Sequence, residues 1–166
     1  MFHSGDYVIY GVHGVCRVIG TEMQRVNRAR VEYLVLEPLV QPESRFYLPT
    51  ANSAAIAKLQ TVLSREELCA LLDSAEIRKD CWIKEENLRK QYYRDLVGST
   101  DRTALLQMVC SLYRYKDEQA DAGRKFHQCD ENFLRDAEKR VCSELCLVLD
   151  MKPEQARAYL RDYLRN

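Results

Sequence analysis

Three histidines and seven cysteines offer this chain its widest scope for nucleophilic, acid–base or metal chemistry. His127 and Cys129 stand two apart in RKFHQCDE, so in an extended segment they share a face and could serve as a base and a thiol nucleophile. No orienting third group or oxyanion donor is identifiable beside them, and a thiol enzyme of this kind would require a depressed Cys129 pKa. His3 lies near the terminus and His13 in a glycine turn. The cysteines, at 16, 69, 81, 110, 129, 142 and 146, include no C-x-x-C pair of the sort a closed zinc site uses. Cys142 and Cys146 fall one helical turn apart in the apolar run VCSELCLVL, and the odd set as a whole reads as reduced, buried thiols. The glycines form neither G-x-G-x-x-G nor a Walker A loop, so no nucleotide site is indicated. The expectation is a protein without catalysis, cofactor, metal or small-molecule substrate.

Binding chemistry is better represented. On a helix from about Asp80 to Val97, the residues Ile77, Cys81, Leu88, Tyr92 and Leu96 form a loose apolar stripe. Trp82, the single tryptophan, falls off that stripe with Glu86, Arg89 and Tyr93. Two readings stay open: Trp82 packs between the two halves of the chain, or it is an exposed aromatic beside Arg89 and Lys90 that stacks on, or wedges into, nucleic acid. Charge limits the second. The 25 basic residues equal the 25 acidic ones, and six of the former and five of the latter precede residue 60, so neither half is a basic domain. Nucleic-acid binding would rest on a local patch, weak and strongly salt-dependent.

Two element types must position these groups. Up to about residue 50, DYVIY, VCRVIG, VEYLVLE and SRFYLP are short β-branched or aromatic runs punctuated by glycine, asparagine or proline. Such strands predict a small SH3-like or Tudor-like barrel, with MQRVNRARVEY as an exposed loop or protruding hairpin carrying Arg25, Arg28 and Arg30. After residue 50 the period becomes helical. Ser64 and Glu67 have capping-box spacing, GSTD at 98–101 ends one helix and caps the next, Asp130 is placed to cap another, and Pro153 suits the first turn of a last one. Leu105, Leu106, Val109, Leu112 and Tyr113, then Leu134, Ala137, Val141, Leu145 and Val148, then Ala156, Leu160 and Leu164 supply the inner stripes of a compact bundle. The fold class is thus α+β, with a mostly β domain over 1–55 and an all-α domain over 56–166. No run approaches the ~18 apolar residues of a membrane span, and MFHSGDYV lacks the basic and apolar regions of a secretion signal, so a cytoplasmic protein is expected.

The segments GDYVIYGVHGVCRVIG, EYLVLEP and FYLPTAN occur in an order that resembles the N-terminal module of the CarD-like bacterial transcription regulators, shared with the polymerase-interacting domain of transcription-repair coupling factors. LSREEL, WIKEENLRKQYYRDL, GSTD and AEKRVCSELCLVL resemble the helical domain of the same family. The resemblance implies a non-enzymatic factor whose Tudor-like module docks on the β subunit of bacterial RNA polymerase, its edge adding to another protein's strand. It further implies a helical domain at the upstream edge of the transcription bubble, touching promoter DNA weakly and without sequence preference. Trp82 is then the minor-groove contact, with Arg89, Lys90 and Arg94 at phosphates. Arg124 and Lys125 stand in for a basic family position that Glu131 occupies here. Arg25, Arg28, Arg30, Arg45 and Tyr47 would rim the polymerase interface. The alternative is a protein-interaction module that uses the same edge without touching DNA.

Overall fold

The two periodicities of the sequence separate in space. In the computed structural model, which describes residues 1–166, β1 (Tyr7–Ile9), β2 (Val15–Val26), β3 (Ala29–Pro38), β4 (Phe46–Pro49) and β5 (Gln60–Thr61) form one antiparallel sheet in the order β4-β3-β2-β1-β5. Alternation sets the register: Val18 faces Leu36 and Leu34 faces Leu48 across neighbouring strands, and all four are buried. Val8, Cys16 and Leu59 complete this small apolar core. The β2–β3 turn is made by Asn27 and Arg28, both at positive φ (50° and 68°), as a two-residue turn matching the strand twist requires. The expected barrel does not close. β4 and β5 remain at opposite ends of the sheet, and α1 (Ser53–Ala57), which joins them in the chain, packs Ala55 and Ile56 against its core. Pairing of β5 with β1 also carries the sheet module to Thr61, past the expected boundary at residue 55.

The helices follow as α2 (Arg65–Asp73), α3 (Glu86–Val97), α4 (Arg102–Asp121), α5 (Gln128–Val148) and α6 (Pro153–Arg165). Their termini answer to local chemistry. Ser64 and Glu67 form a reciprocal capping box at α2, Gly98 ends α3, the Asp101 side chain accepts from the Ala104 N–H at the start of α4, and Pro153 opens α6. The inner stripes expected of α4, α5 and α6 are buried, apart from half-buried Val148, in one core that also holds Leu68, Leu72, Ile77 and Tyr93. Three expectations are corrected. Helix α3 begins at Glu86 rather than near Asp80, because the Glu85 carboxylate accepts from the N–H groups of Asn87 and Leu88 and caps it there. Its buried face is Arg89, Tyr93, Leu96 and Val97, while Leu88 is 59% exposed, a turn of about one residue from the predicted stripe. Asp130 does not cap α5, which starts at Gln128; Asp130 is wholly buried two residues inside it.

Helix α5 joins sheet to bundle through buried polar groups. The Val15 N–H donates to Ser143 Oγ (3.0 Å), which in turn donates to the Arg140 carbonyl (2.7 Å). Buried Arg140 donates to the carbonyls of Val97 and Ser99 and to Gln60 Oε1. Glu144 accepts from the Leu63 N–H and from Arg102. Each of these groups would be costly if left unpaired, so the network favours one relative placement of the two modules.

Candidate partner-binding surfaces

The β2–β3 hairpin runs beyond its neighbours. β1 reaches only Arg17 of β2, and β4 only Tyr33 of β3, so the distal half is a two-stranded ribbon. At its tip Arg25 and Arg30 are direct cross-strand partners, with Arg28 in the turn between them, and all three are exposed. None of the three is within ion-pair distance of a carboxylate. Like charges directly opposite each other destabilise a strand pair, so this arrangement is relieved by an acidic partner. β4 pairs on one side alone, which leaves its outer backbone edge open. Tyr47 projects from β4, 40% exposed and edge-on to Tyr33, with exposed Arg45 just before the strand.

By register Arg25 and Arg30 continue the face of Leu34 and Leu36, whereas Tyr47 pairs with Val35 on the opposite face. The five residues expected at one interface therefore divide between the two faces of the ribbon and sheet, a separation that period-two alternation imposes.

The second candidate surface surrounds Trp82. It lies in the segment 79–85 before α3 and is half-buried against the bundle rather than between bundle and sheet. Its ring stacks on Tyr115 of α4 (centroids 3.7 Å, planes 22° apart), and the Arg89 guanidinium lies 4.3 Å from its centroid. A phenol and a guanidinium that close to one ring cannot share a side, so they cover opposite faces of the indole. What remains to meet a partner is the ring's edge. Arg89 is only 4% exposed and forms a bidentate pair with wholly buried Asp130, both bonds 3.0 Å. Its expected place at a phosphate is thereby corrected: Nε and Nη2 are held by the carboxylate, Nη1 donates to the carbonyls of Ile83 and Lys84, and the side chain is buried.

The other expected cations stay at the surface. Lys90 pairs with Glu86, Arg94 is exposed on α3, and Arg124 and Lys125 are exposed between α4 and α5. Phe126, next to Lys125, is 6.2 Å from the Tyr115 ring, which brings these last two cations to the rim of the Trp82 cluster. Glu131 is neutralised by Lys116 (2.8 Å). Tyr115 and Asp130 are the members of this site that sequence reasoning missed. Tyr115 belonged to no stripe, and Asp130 has the signal of a helix cap.

The catalytic candidates do not converge. His127 is exposed just before α5 and Cys129 is half-buried in its first turn. No group of three or more His, Cys, Asp and Glu side chains is placed to hold a metal ion, and all seven cysteines are free thiols. Burial pushes the Cys16 and Cys142 thiols up to about 12 and Cys110 to about 11, away from nucleophilic character. No helix is long and apolar enough to cross a membrane.

Residues 2–60, the whole sheet module but its last residue, match the model of the CarD-like/TRCF RID domain family. No curated protein matches the chain.

Proposed function

We propose, from the match of residues 2–60 to the CarD-like/TRCF RID domain family, that the chain regulates transcription by docking this module on the β subunit of bacterial RNA polymerase. The observation that carries the proposal is the exposed ribbon tip with its unpaired Arg25, Arg28 and Arg30, together with the open edge of β4. Main-chain pairing along a free edge supplies affinity, and the arginines select an acidic counterpart. Arg45 and Tyr47 serve the opposite face of the same edge.

With the sheet docked, the helical bundle meets promoter DNA at the upstream edge of the bubble and alters the stability of the open complex. The zero formal charge suits this arrangement, because tethering to polymerase raises the effective concentration and a weak, sequence-independent contact suffices. Trp82 presents its ring edge to the minor groove, Arg124 and Lys125 stand at the rim as phosphate contacts, and Lys90 and Arg94 flank them on α3.

Capture of polymerase by the full chain tests the docking. Reversing Arg25, Arg28 and Arg30 to Glu is expected to abolish capture while leaving the fold intact; undiminished capture refutes the interface. For the bundle, Trp82→Ala is expected to shorten open-complex lifetime with polymerase capture unchanged, since it removes the apolar edge that would enter the groove. Reversal of Arg124 and Lys125 is expected to flatten the salt dependence of that lifetime. Retained capture with unchanged lifetime and salt slope favours the alternative of a module that binds protein alone, a reading supported by the occupation of both faces of Trp82.

A further inference from the structure

We infer that Arg89, Tyr115 and Ser111 form a clamp that holds Trp82 edge-on, so that Arg89 is a positioning residue rather than a DNA contact; this rests on the proposed meeting of the bundle with promoter DNA. The segment 79–85 has no regular secondary structure, yet it is tied down along its length. Ser111, 1% exposed on α4, accepts from the Cys81 N–H (3.0 Å) and donates to Asp80 Oδ1 (3.0 Å). Asp80 Oδ1 also accepts from the Trp82 N–H (3.3 Å). On the far side of Trp82, Arg89 Nη1 donates to the carbonyls of Ile83 (3.0 Å) and Lys84 (3.4 Å).

The clamp has a fixed base. Asp130 of α5 holds Arg89 Nε and Nη2, so the guanidinium plane is set by a buried carboxylate before the indole lies against it. Tyr115 closes the other face as a parallel stack. An indole with its backbone anchored on both sides and both faces covered has little freedom to rotate, and a preorganised side chain loses less entropy when its edge enters a groove. Every hydrogen-bonding direction of Arg89 that these contacts occupy is one it cannot offer to a phosphate.

Trp82 is the single tryptophan of the chain, so intrinsic fluorescence of the full-length protein reports on it alone. Time-resolved anisotropy and acrylamide quenching are to be measured for the wild type, Tyr115→Leu, Tyr115→Phe and Arg89→Lys, beside open-complex lifetime and polymerase capture. Lysine keeps a cation beside Asp130 but loses the planar fork. Tyr115→Leu and Arg89→Lys are expected to raise quenching, add nanosecond motion of the ring and lose most of the Trp82-dependent lifetime, with capture unchanged. Tyr115→Phe, which keeps the stack, is expected to match the wild type in every readout. Should Arg89→Lys fail to fold, Tyr115→Leu and Tyr115→Phe carry the test. A ring freed without loss of lifetime, while Trp82→Ala does shorten it, overturns the positioning role. A ring no freer in Tyr115→Leu overturns the clamp. An unchanged lifetime in Trp82→Ala itself refutes the DNA contact, and the positioning role falls with it, although the ring mobility still reports the clamp.

Discussion

Gly14 sits where the sheet module meets α5, and replacing it by alanine challenges two features at once. Its backbone (φ 71°, ψ −147°) lies in a region essentially closed to residues with a Cβ, at a cost of order 1–3 kcal/mol. An added Cβ would also stand 2.3 Å from Ser143 Oγ and 2.9 Å from Ser143 Cβ, closer than atoms can pack. Ser143 must then move, which deprives the Val15 N–H of its acceptor, and an orphaned buried donor costs about 1–3 kcal/mol. Gly14→Ala is therefore expected to lose about 4 kcal/mol, lowering Tm by about 8–16 °C for a chain of this size. Denaturant unfolding of a double-mutant cycle with Ser143→Gly isolates the cause. Both clashing atoms belong to the Ser143 side chain, so in the Ser143→Gly background Gly14→Ala is expected to cost only the backbone share, about 2 kcal/mol, a coupling of about 2 kcal/mol. Equal costs in the two backgrounds, within about 0.5 kcal/mol, would refute the steric account of the seam.

Asp130→Asn removes the charge that Arg89 is buried against, and is expected to destabilise the chain by about 3–5 kcal/mol, visible as a fall in thermal midpoint. His13, packed 4.2 Å from the Phe46 ring, has its pKa lowered from 6.5 by burial and then by Lys139. The folded state thus binds fewer protons than the unfolded chain below about pH 6.5, so stability is complete above that value and declines as pH falls through it. His13→Gln is expected to flatten that decline in urea midpoints measured from pH 7.5 to 5.5. Cys16, Cys110 and Cys142 are expected to resist iodoacetamide at pH 7.5 until denaturant is added, as peptide mapping by mass spectrometry would record.

Local signals carried much of the fold. The Ser64–Glu67 box, the Asp101 cap and Pro153 depend on residues three or four apart, and each end lies where that chemistry puts it. The inner stripes of α4 and α6 were legible for the same reason: a period of 3.6 with several apolar matches leaves one face to bury. The candidate site was legible in its surface members. Arg28 sits in a turn, Arg25 and Arg30 in the strand ends beside it, and Arg124 and Lys125 in a loop, and all five are exposed. It was illegible where a residue's role depends on a partner remote in sequence. Arg89 and Asp130 are 41 residues apart and each has a reasonable local role, as a surface cation and a helix cap, that their mutual pairing overrides.

A β-rich module before a helical one, an exposed basic segment between the second and third strands and most of the helix ends are written in the sequence. Those properties follow from periodicity, turn chemistry and capping, which act over a few residues. That the sheet stays open, with β4 and β5 at its two ends, depends on contacts between segments remote in sequence. The same holds for the turn of α3, whose inner face carries Tyr93, Leu96 and Val97 together with Arg89 paired to Asp130 of α5, while Leu88 faces outward. The lodging of Trp82 between Tyr115 and Arg89 was likewise a tertiary outcome: what covers a ring is set by the elements that pack against it, and no local period encodes them.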